Sequence, residues 1–320
     1  MDIIRMSGGL GNQMFQYALY MKLISQGIEV KFDDINEYRH DNARPIMLSV
    51  FGLEYPRASW DEITKITDGS LKISHRIRRK LFGRKSREYR EQGFGFDPEI
   101  LKQEHAYLCG VFQSEKYFED IAQQVRETFR FTDPEDMKLP ESLLEATQES
   151  IKLIQDTDNA VSIHIRRGDY LMNEELYGGI CTEKYYEGAI RYMLDHYPDA
   201  VFYVFSNEAR WVKNWIDMIL SGKTEAGFTQ EEMHDLKDRF VIMESNTEYT
   251  GYLDMLLMTK CKHNIIANSS FSWWGAWLND NPEKSVVAPS KWLNERDCED
   301  VYVKGMVLIN AKGRVERTVR

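Results

Sequence analysis

Two adjacent arginines, Arg166 and Arg167, stand where an apolar run breaks into a Gly-Asp turn, V-S-I-H-I-R-R-G-D-Y over residues 161–170. Paired guanidinium forks suit phosphate oxygens, which they grip in a bidentate manner. Two further groupings have the same character: S-N-E at residues 206–208 and N-S-S-F-S at residues 268–272. Hydroxyls and free N–H groups at a helix start complete an anion site. A carboxylate or amide beside it accepts from the N1–H and amino group of a guanine. A fourth stretch, S-G-G-L-G-N-Q at residues 7–13, joins Gly9 and Gly11 to two amide donors, Asn12 and Gln13. The fingerprint G-x-G-x-x-G would require glycine at position 14, where the chain has Met14. The loop reads either as a phosphate cradle or as a tight structural turn, and a turn alone has no need of both amides.

The elements that must position these groups follow from periodicity. Val161, Ile163 and Ile165 alternate with Ser162, His164 and Arg166, so residues 161–165 form a strand that delivers the arginines to its carboxyl end. That edge is where open α/β sheets bind ligands. Strands follow at residues 201–205, 240–243, 264–267 and 286–289, with helices at 183–196, 249–261, 271–278 and around Trp211 and Trp215. Repeated β-α units imply a parallel sheet with right-handed crossovers. Three strand ends thus converge on one edge: His164, Arg166, Arg167 and Asp169; Ser206, Asn207 and Glu208; and Asn268, Ser269, Ser270 and Ser272. Together they predict a site for a nucleotide diphosphate.

In the first half, residues 3–6 and 28–32 read as strands around the glycine loop and a helix at 14–24, and helices are expected at 121–131 and 142–155. The fold class is α/β, with domains over 1–155 and 156–320. Two Rossmann-like domains facing a central cleft, GT-B-like, are the fold-level analogy with sugar-nucleotide transferases.

A chain of 320 residues, 42% hydrophobic and 29% charged, has room for two cores. A net charge of −10 argues against a general nucleic-acid binder, so any anion needs a local basic pocket. Cys109, Cys181, Cys261 and Cys298 are widely spaced and read as reduced thiols, giving neither a disulfide framework nor a zinc site. No signal peptide or spanning segment is legible, so a cytoplasmic protein is expected. The D-x-D at Asp156 and Asp158 precedes its strand and reads as a turn instead of a metal holder. From Arg76 to Arg90 the chain carries eight Lys/Arg against the single acid Glu88. That run is either a solvated face or a contact for an anionic membrane or lipid-linked acceptor. Trp273, Trp274 and Trp277 raise a sugar-binding lectin as a second class, but their i, i+1, i+4 spacing puts at least two in a core, and a lectin has no use for the arginine pair.

The four motifs, S-G-G-L-G-N-Q-M-F-Q-Y-A from Ser7, H-I-R-R-G-D-Y from His164, residues 204–208 and A-N-S-S-F-S-W-W-G-A-W-L from Ala267, resemble the α-1,2-fucosyltransferases of glycosyltransferase family 11. The resemblance implies a bacterial, metal-independent, inverting enzyme without a cofactor, moving L-fucose from GDP-fucose to the 2-hydroxyl of a galactoside, which is free or lipid-linked. It places His164 near the nucleotide and Arg166 and Arg167 on the diphosphate. Asn268, Ser269, Ser270, Phe271 and Ser272 match the diphosphate-side helix start. Asn12 and Gln13, with Gly9 and Gly11, match a loop approaching the fucose and the β-phosphate. The family carries two acids after the serine of the middle motif, and Asn207 replaces one, which makes Glu208 the better candidate for guanine recognition and leaves the role of Asn207 open. Asp169, Glu174 and Glu175 stay open as the general base. Another linkage or acceptor, α-1,6 or protein O-linked, is the alternative within enzymes.

Overall fold

The computed structural model describes residues 1–38, 44–170, 172–224, 227–244, 247, 249–294 and 298–320, with the backbone alone for Asp169. The chain divides into two compact units, Met1–Arg130 with Glu299–Val301, and Phe131–Cys298 with Tyr302–Arg320. The division therefore falls at 130 and not at the expected 155. The physical reason is the helix over residues 141–155, whose Ile151 and Ile154 pack with Tyr203, Phe205 and Leu257 of the second unit. Both units are Rossmann-like α/β bodies, the pair that makes up a GT-B-like fold.

The first unit runs β1 (Asp2–Arg5), α1 (Leu10–Ser25), β2 (Val30–Asp33), α2 (Trp60–Ile66), α3 (Ile73–Phe82), β3 (Glu88–Arg90), β4 (Tyr107–Cys109) and α4 (Ala122–Thr128). Its four strands are parallel in the order β2-β1-β4-β3. Strands β3 and β4 have three residues each, too few to show a period, which is why the sequence leaves this region unparsed. Helix α1 starts straight after the glycine turn and buries most of its first three turns, Gln13 and Gln16 included.

The second unit runs α5 (Glu141–Gln155), β5 (Ala160–Ile165), α6 (Glu174–Tyr177), α7 (Glu183–His196), β6 (Val201–Ser206), α8 (Ala209–Leu220), α9 (Gln230–Leu236), β7 (Phe240–Met243), α10 (Tyr252–Lys260), β8 (His263–Ile265), α11 (Ser270–Leu278), β9 (Val286–Pro289), β10 (Val307–Ile309) and β11 (Val315–Thr318). The sheet order is β11-β10-β9-β8-β5-β6-β7, parallel except for the β10–β11 edge. From β5 the chain winds outward through β6 and β7, then returns to β8 on the other side of β5. The order thus reverses between β5 and β8, the switch point where such sheets open a crevice.

All six residues of β5 are buried. Val161, Ile163 and Ile165 join Tyr185, Tyr186, Met193, Val212 and Trp215 in a core under α7 and α8. The opposite face carries Ser162 and His164, and there Asn264 Nδ2 donates to Ser162 Oγ at 2.7 Å. Trp273, Trp274 and Trp277 are buried, Trp273 stacked on Trp277 and Trp274 edge-on to both, so they hold α11 in place and offer no sugar platform. None of Cys109, Cys181, Cys261 and Cys298 is in a disulfide.

Candidate active site

The loop leaving β5 turns at Gly168, whose φ of +66° lies in the region that favours glycine. A Cβ there would stand 2.7 Å from Asn207 Nδ2, because the loop after β6 is drawn against it. Three bonds do the drawing. Arg167 N donates to Asn207 Oδ1 at 3.0 Å, Gly168 N to Glu208 Oε1 at 3.0 Å, and Arg167 Nε to Glu208 Oε2 at 3.2 Å. Glu208 N in turn donates to Ser206 Oγ at 3.1 Å. The Arg167 guanidinium lies 4.0 Å over the Trp211 ring, in the first turn of α8. Held by Nε and by its flat face, Arg167 keeps four Nη–H donors in a fixed orientation, which is what recognition of a phosphate requires.

Each Glu208 oxygen accepts one bond from the Arg167–Gly168 segment, so the carboxylate holds the arginine in place. Asn207, the amide in place of a second acid, accepts from a backbone N–H of the same segment.

Across the switch point, Tyr170 OH donates to Asn268 O at 3.0 Å and its ring stacks on Tyr177 with centroids 4.1 Å apart. The Arg166 guanidinium lies 5.8 Å from the Tyr170 ring. Arg166, Arg167, Tyr170, Tyr177, Trp211 and Asn268 line a cavity of about 560 Å³, a size typical of small-molecule sites. Two cations and several aromatic faces around one cavity suit a ligand with an anionic segment and flat or apolar rings. Glu174, at the start of α6, lines the same cavity.

His164 is buried, its Nδ1 has no hydrogen-bond partner, and burial with the nearby Arg166 charge pushes its pKa down to about 3. It is a neutral core histidine whose ring lies 5.5 Å from Phe271. Asn268 is buried; its amide donates to Trp292 O at 3.0 Å and its oxygen accepts from the Cys181 thiol at 3.3 Å. Ser272 Oγ donates to Ala267 O and Ser269 O, carbonyls just before α11. Ser269 is the N-cap of α11 without a side-chain capping bond, and Ser270 opens the helix. The Asp169 carboxylate lies outside the described residues.

The glycine loop belongs to the first unit. Gly8 has φ of +74°, and a Cβ there would stand 2.5 Å from Asn12 Nδ2. The N–H groups of Asn12 and Gln13 both donate to Gly9 O. Gln13, expected to reach a donor sugar, is fully buried instead. Its amide donates to Gly8 O and Pro45 O, and its oxygen accepts from Met47 N at 2.9 Å. Its role is to clamp the following loop to α1. Gly11 is buried in the first turn of α1, while Gly9 and Asn12 are half-buried, and Asn12 Oδ1 accepts from Gln113 Nε2 at 2.8 Å. Near this loop the sequence also hides Glu91, whose Oε2 accepts from Val111 N and Phe112 N while Oε1 is buried without a hydrogen-bond partner. Burial raises its pKa to about 7.

Residues 96–310 match the family model described as Glycosyl transferase family 11. The chain belongs to that family. An alpha-1,2-colitosyltransferase from Escherichia coli is 32% identical over 94% of this chain and 98% of that protein. The O-antigen biosynthesis glycosyltransferase WbnK of Escherichia coli is 33% identical over 90% and 93%. Galactoside alpha-(1,2)-fucosyltransferase 1 of Homo sapiens is 25% identical over 85% of this chain and 64% of that one.

In this glycosyltransferase the arginines and their loop are legible in the sequence, whereas Trp211 and Tyr177 carry no such reading. A signal existed for Trp211: it stands three residues after Glu208 at a helix start, so it shares a face with it. Tyr177 carries no comparable signal, since a short helix after an irregular loop brings it to Tyr170. Among the described residues no group of three His, Cys, Asp or Glu is placed to hold a metal, and no helix is long and apolar enough to cross a membrane.

Proposed function

We propose that this family 11 glycosyltransferase transfers L-fucose from GDP-β-L-fucose to the 2-hydroxyl of a terminal galactoside, with inversion at the anomeric carbon. The observation that carries the reading is the guanidinium pair at the β5–β8 switch point, with Arg167 fixed by Glu208 and Trp211. Inversion requires in-line attack of the acceptor hydroxyl opposite the departing GDP, through an oxocarbenium-like transition state. Negative charge then grows on the β-phosphate. Cations already in place bind that charge more tightly than the ground state, which is differential stabilisation. Arg166 and Arg167 hold the diphosphate in this scheme, the α11 N-terminus supports it, and the aromatic walls pack the rings. Asn12 is assigned to the reacting sugar. The two arginines supply the charge a metal would, so the reaction is proposed to be metal-independent. The acceptor is a galactoside oligosaccharide, free or lipid-linked, reached from the cytoplasm.

The likeness to an alpha-1,2-colitosyltransferase favours one second reading: transfer of colitose, the 3-deoxy counterpart of fucose, through the same diphosphate grip. Incubation with GDP-fucose or GDP-colitose and a set of β-galactosides, followed by linkage analysis, separates the two. An α-1,2-fucosyl product formed equally well after chelator treatment is expected. A preference for GDP-colitose selects the second reading, and transfer to another position or strict metal dependence refutes the first.

A further inference from the structure

Helix α3 (Ile73–Phe82) has no buried residue, although four of its ten side chains are apolar. Ile73, Ile77 and Leu81 recur at i, i+4 and i+8 and so form one stripe along the helix, exposed by 74%, 54% and 69%. Leu71 and Phe82, at its two ends, are exposed by 80% and 73%. Singly exposed apolar residues are ordinary, but a contiguous stripe marks an interaction surface.

The charges divide in a way that orients the helix. Arg78 pairs with Asp68, and Arg79 donates to Asp68 O at 2.9 Å and Ser70 O at 2.7 Å. Lys85 N donates to Asp68 Oδ2 at 2.9 Å and Arg84 Nε to Thr67 O at 3.0 Å. Asp68 therefore ties down the side of α3 that carries Arg78 and Arg79. At 100° per residue, the side opposite that pair carries Ile73, Ile77, Arg76 and Lys80. Arg76 and Lys80 are exposed alongside the apolar stripe, and Lys72, Lys85 and Arg87 are exposed around it. Residues 71–87 contain no acid, in a chain whose net charge is −10.

We propose that α3 is a docking helix for an anionic phospholipid bilayer, lying in the headgroup plane with Ile73, Ile77 and Leu81 inserted and the surrounding Lys/Arg on lipid phosphates. Charge complementarity selects this occupant. A cationic rim around an exposed apolar stripe on a helix too short to span is the pattern of an interfacial helix, and the local charge opposes that of the rest of the chain. A two-fold contact between copies over this stripe would instead set the cationic rim of one copy against that of the other. The inference does not depend on the identity of donor or acceptor.

The test is co-sedimentation of the full chain with vesicles of phosphatidylethanolamine and phosphatidylglycerol, against vesicles of phosphatidylcholine alone. The wild-type protein is expected to sediment with the anionic vesicles only, and less so as salt is raised. Arg76→Gln with Lys80→Gln should weaken binding about 25-fold, at about fivefold per cation near an anionic surface. Ile77→Ser with Leu81→Ser should abolish it. Both double variants should keep the wild-type rate on a soluble galactoside, since α3 lies outside the proposed transfer machinery. Absence of wild-type binding to anionic vesicles overturns the proposal, as does equal binding by the variants. Concentration-dependent dimerisation in light scattering that the serine variant abolishes, without vesicle binding, would assign the face to a second copy instead.

Discussion

Replacing Arg167 with alanine separates what this residue does for the fold from what it does for a diphosphate. Within the protein its guanidinium makes one ion pair, with side chains exposed by 26% and 35%, and one stacking contact 4.0 Å above Trp211. A partly exposed pair is worth ~0.2–1 kcal/mol, and a cation over an exposed ring ~0.5–1 kcal/mol. The sum is about 1–2 kcal/mol, which lowers Tm by only a few degrees in a unit of this size. Opposite a phosphate oxygen gaining charge in a water-poor cavity, one donor is worth ~2.7–4 kcal/mol, or about 10²–10³ in kcat. Arg167→Ala should therefore cost far more rate than stability. Arg167→Lys, which keeps the charge without the fork, should fall between the two. Glu208→Gln keeps an oxygen for the Gly168 N–H but loses the acceptor for Arg167 Nε, so it should slow transfer less than Arg167→Ala. Initial rates at saturating GDP-fucose and galactoside, beside thermal melts of each variant, make the comparison. Near-wild-type kcat in Arg167→Ala would refute the assignment, and so would a collapse of Tm that accounts for the lost rate.

Two further outcomes test the fold around the site. Glu91 has its folded pKa raised from the ordinary 4.5 to about 7 by burial, so the folded state holds this proton more tightly than the unfolded chain. Its contribution to stability is complete below about pH 4.5 and is lost as pH rises through about 7, on the order of 3 kcal/mol in all. Glu91→Gln should remove that slope and be the more stable protein at pH 8; parallel denaturant midpoints for both proteins between pH 5 and 8 would refute this. On α7, a Cβ at Gly188 would stand 2.2 Å from Gly313 O and 2.5 Å from Gly313 Cα. Both are backbone atoms of the β10–β11 turn, so Gly188→Ala should destabilise by about 1–3 kcal/mol or more, read as a lower urea midpoint. An unchanged midpoint would mean that helix and turn do not approach this closely.

What the sequence determined by itself is local. Alternation announces β5, and the break into Arg-Arg-Gly-Asp places two cations at its carboxyl end, because side-chain period and charge are properties of neighbours in the chain. The spacing of Trp273, Trp274 and Trp277 likewise foretells a buried helix face. The four motifs carried the family, though not the duties within them. Glu208 reads as an acid awaiting a ligand until β6 is laid beside β5, and then it lies against Arg167, 41 positions earlier. Gln13 reads as an amide donor for a ligand until Gly8, Pro45 and Met47 surround it. The fate of Glu91 depends on backbone N–H groups about 20 positions away. In α3 the basic residues look alike in sequence, and only the fold decides that Asp68 takes Arg78 and Arg79 while Arg76 and Lys80 are left beside an exposed apolar stripe. A hydrogen bond or ion pair is made by whichever group chain closure brings within about 3 Å. Tertiary structure alone therefore decided which polar residues hold the site together and which remain to meet a ligand.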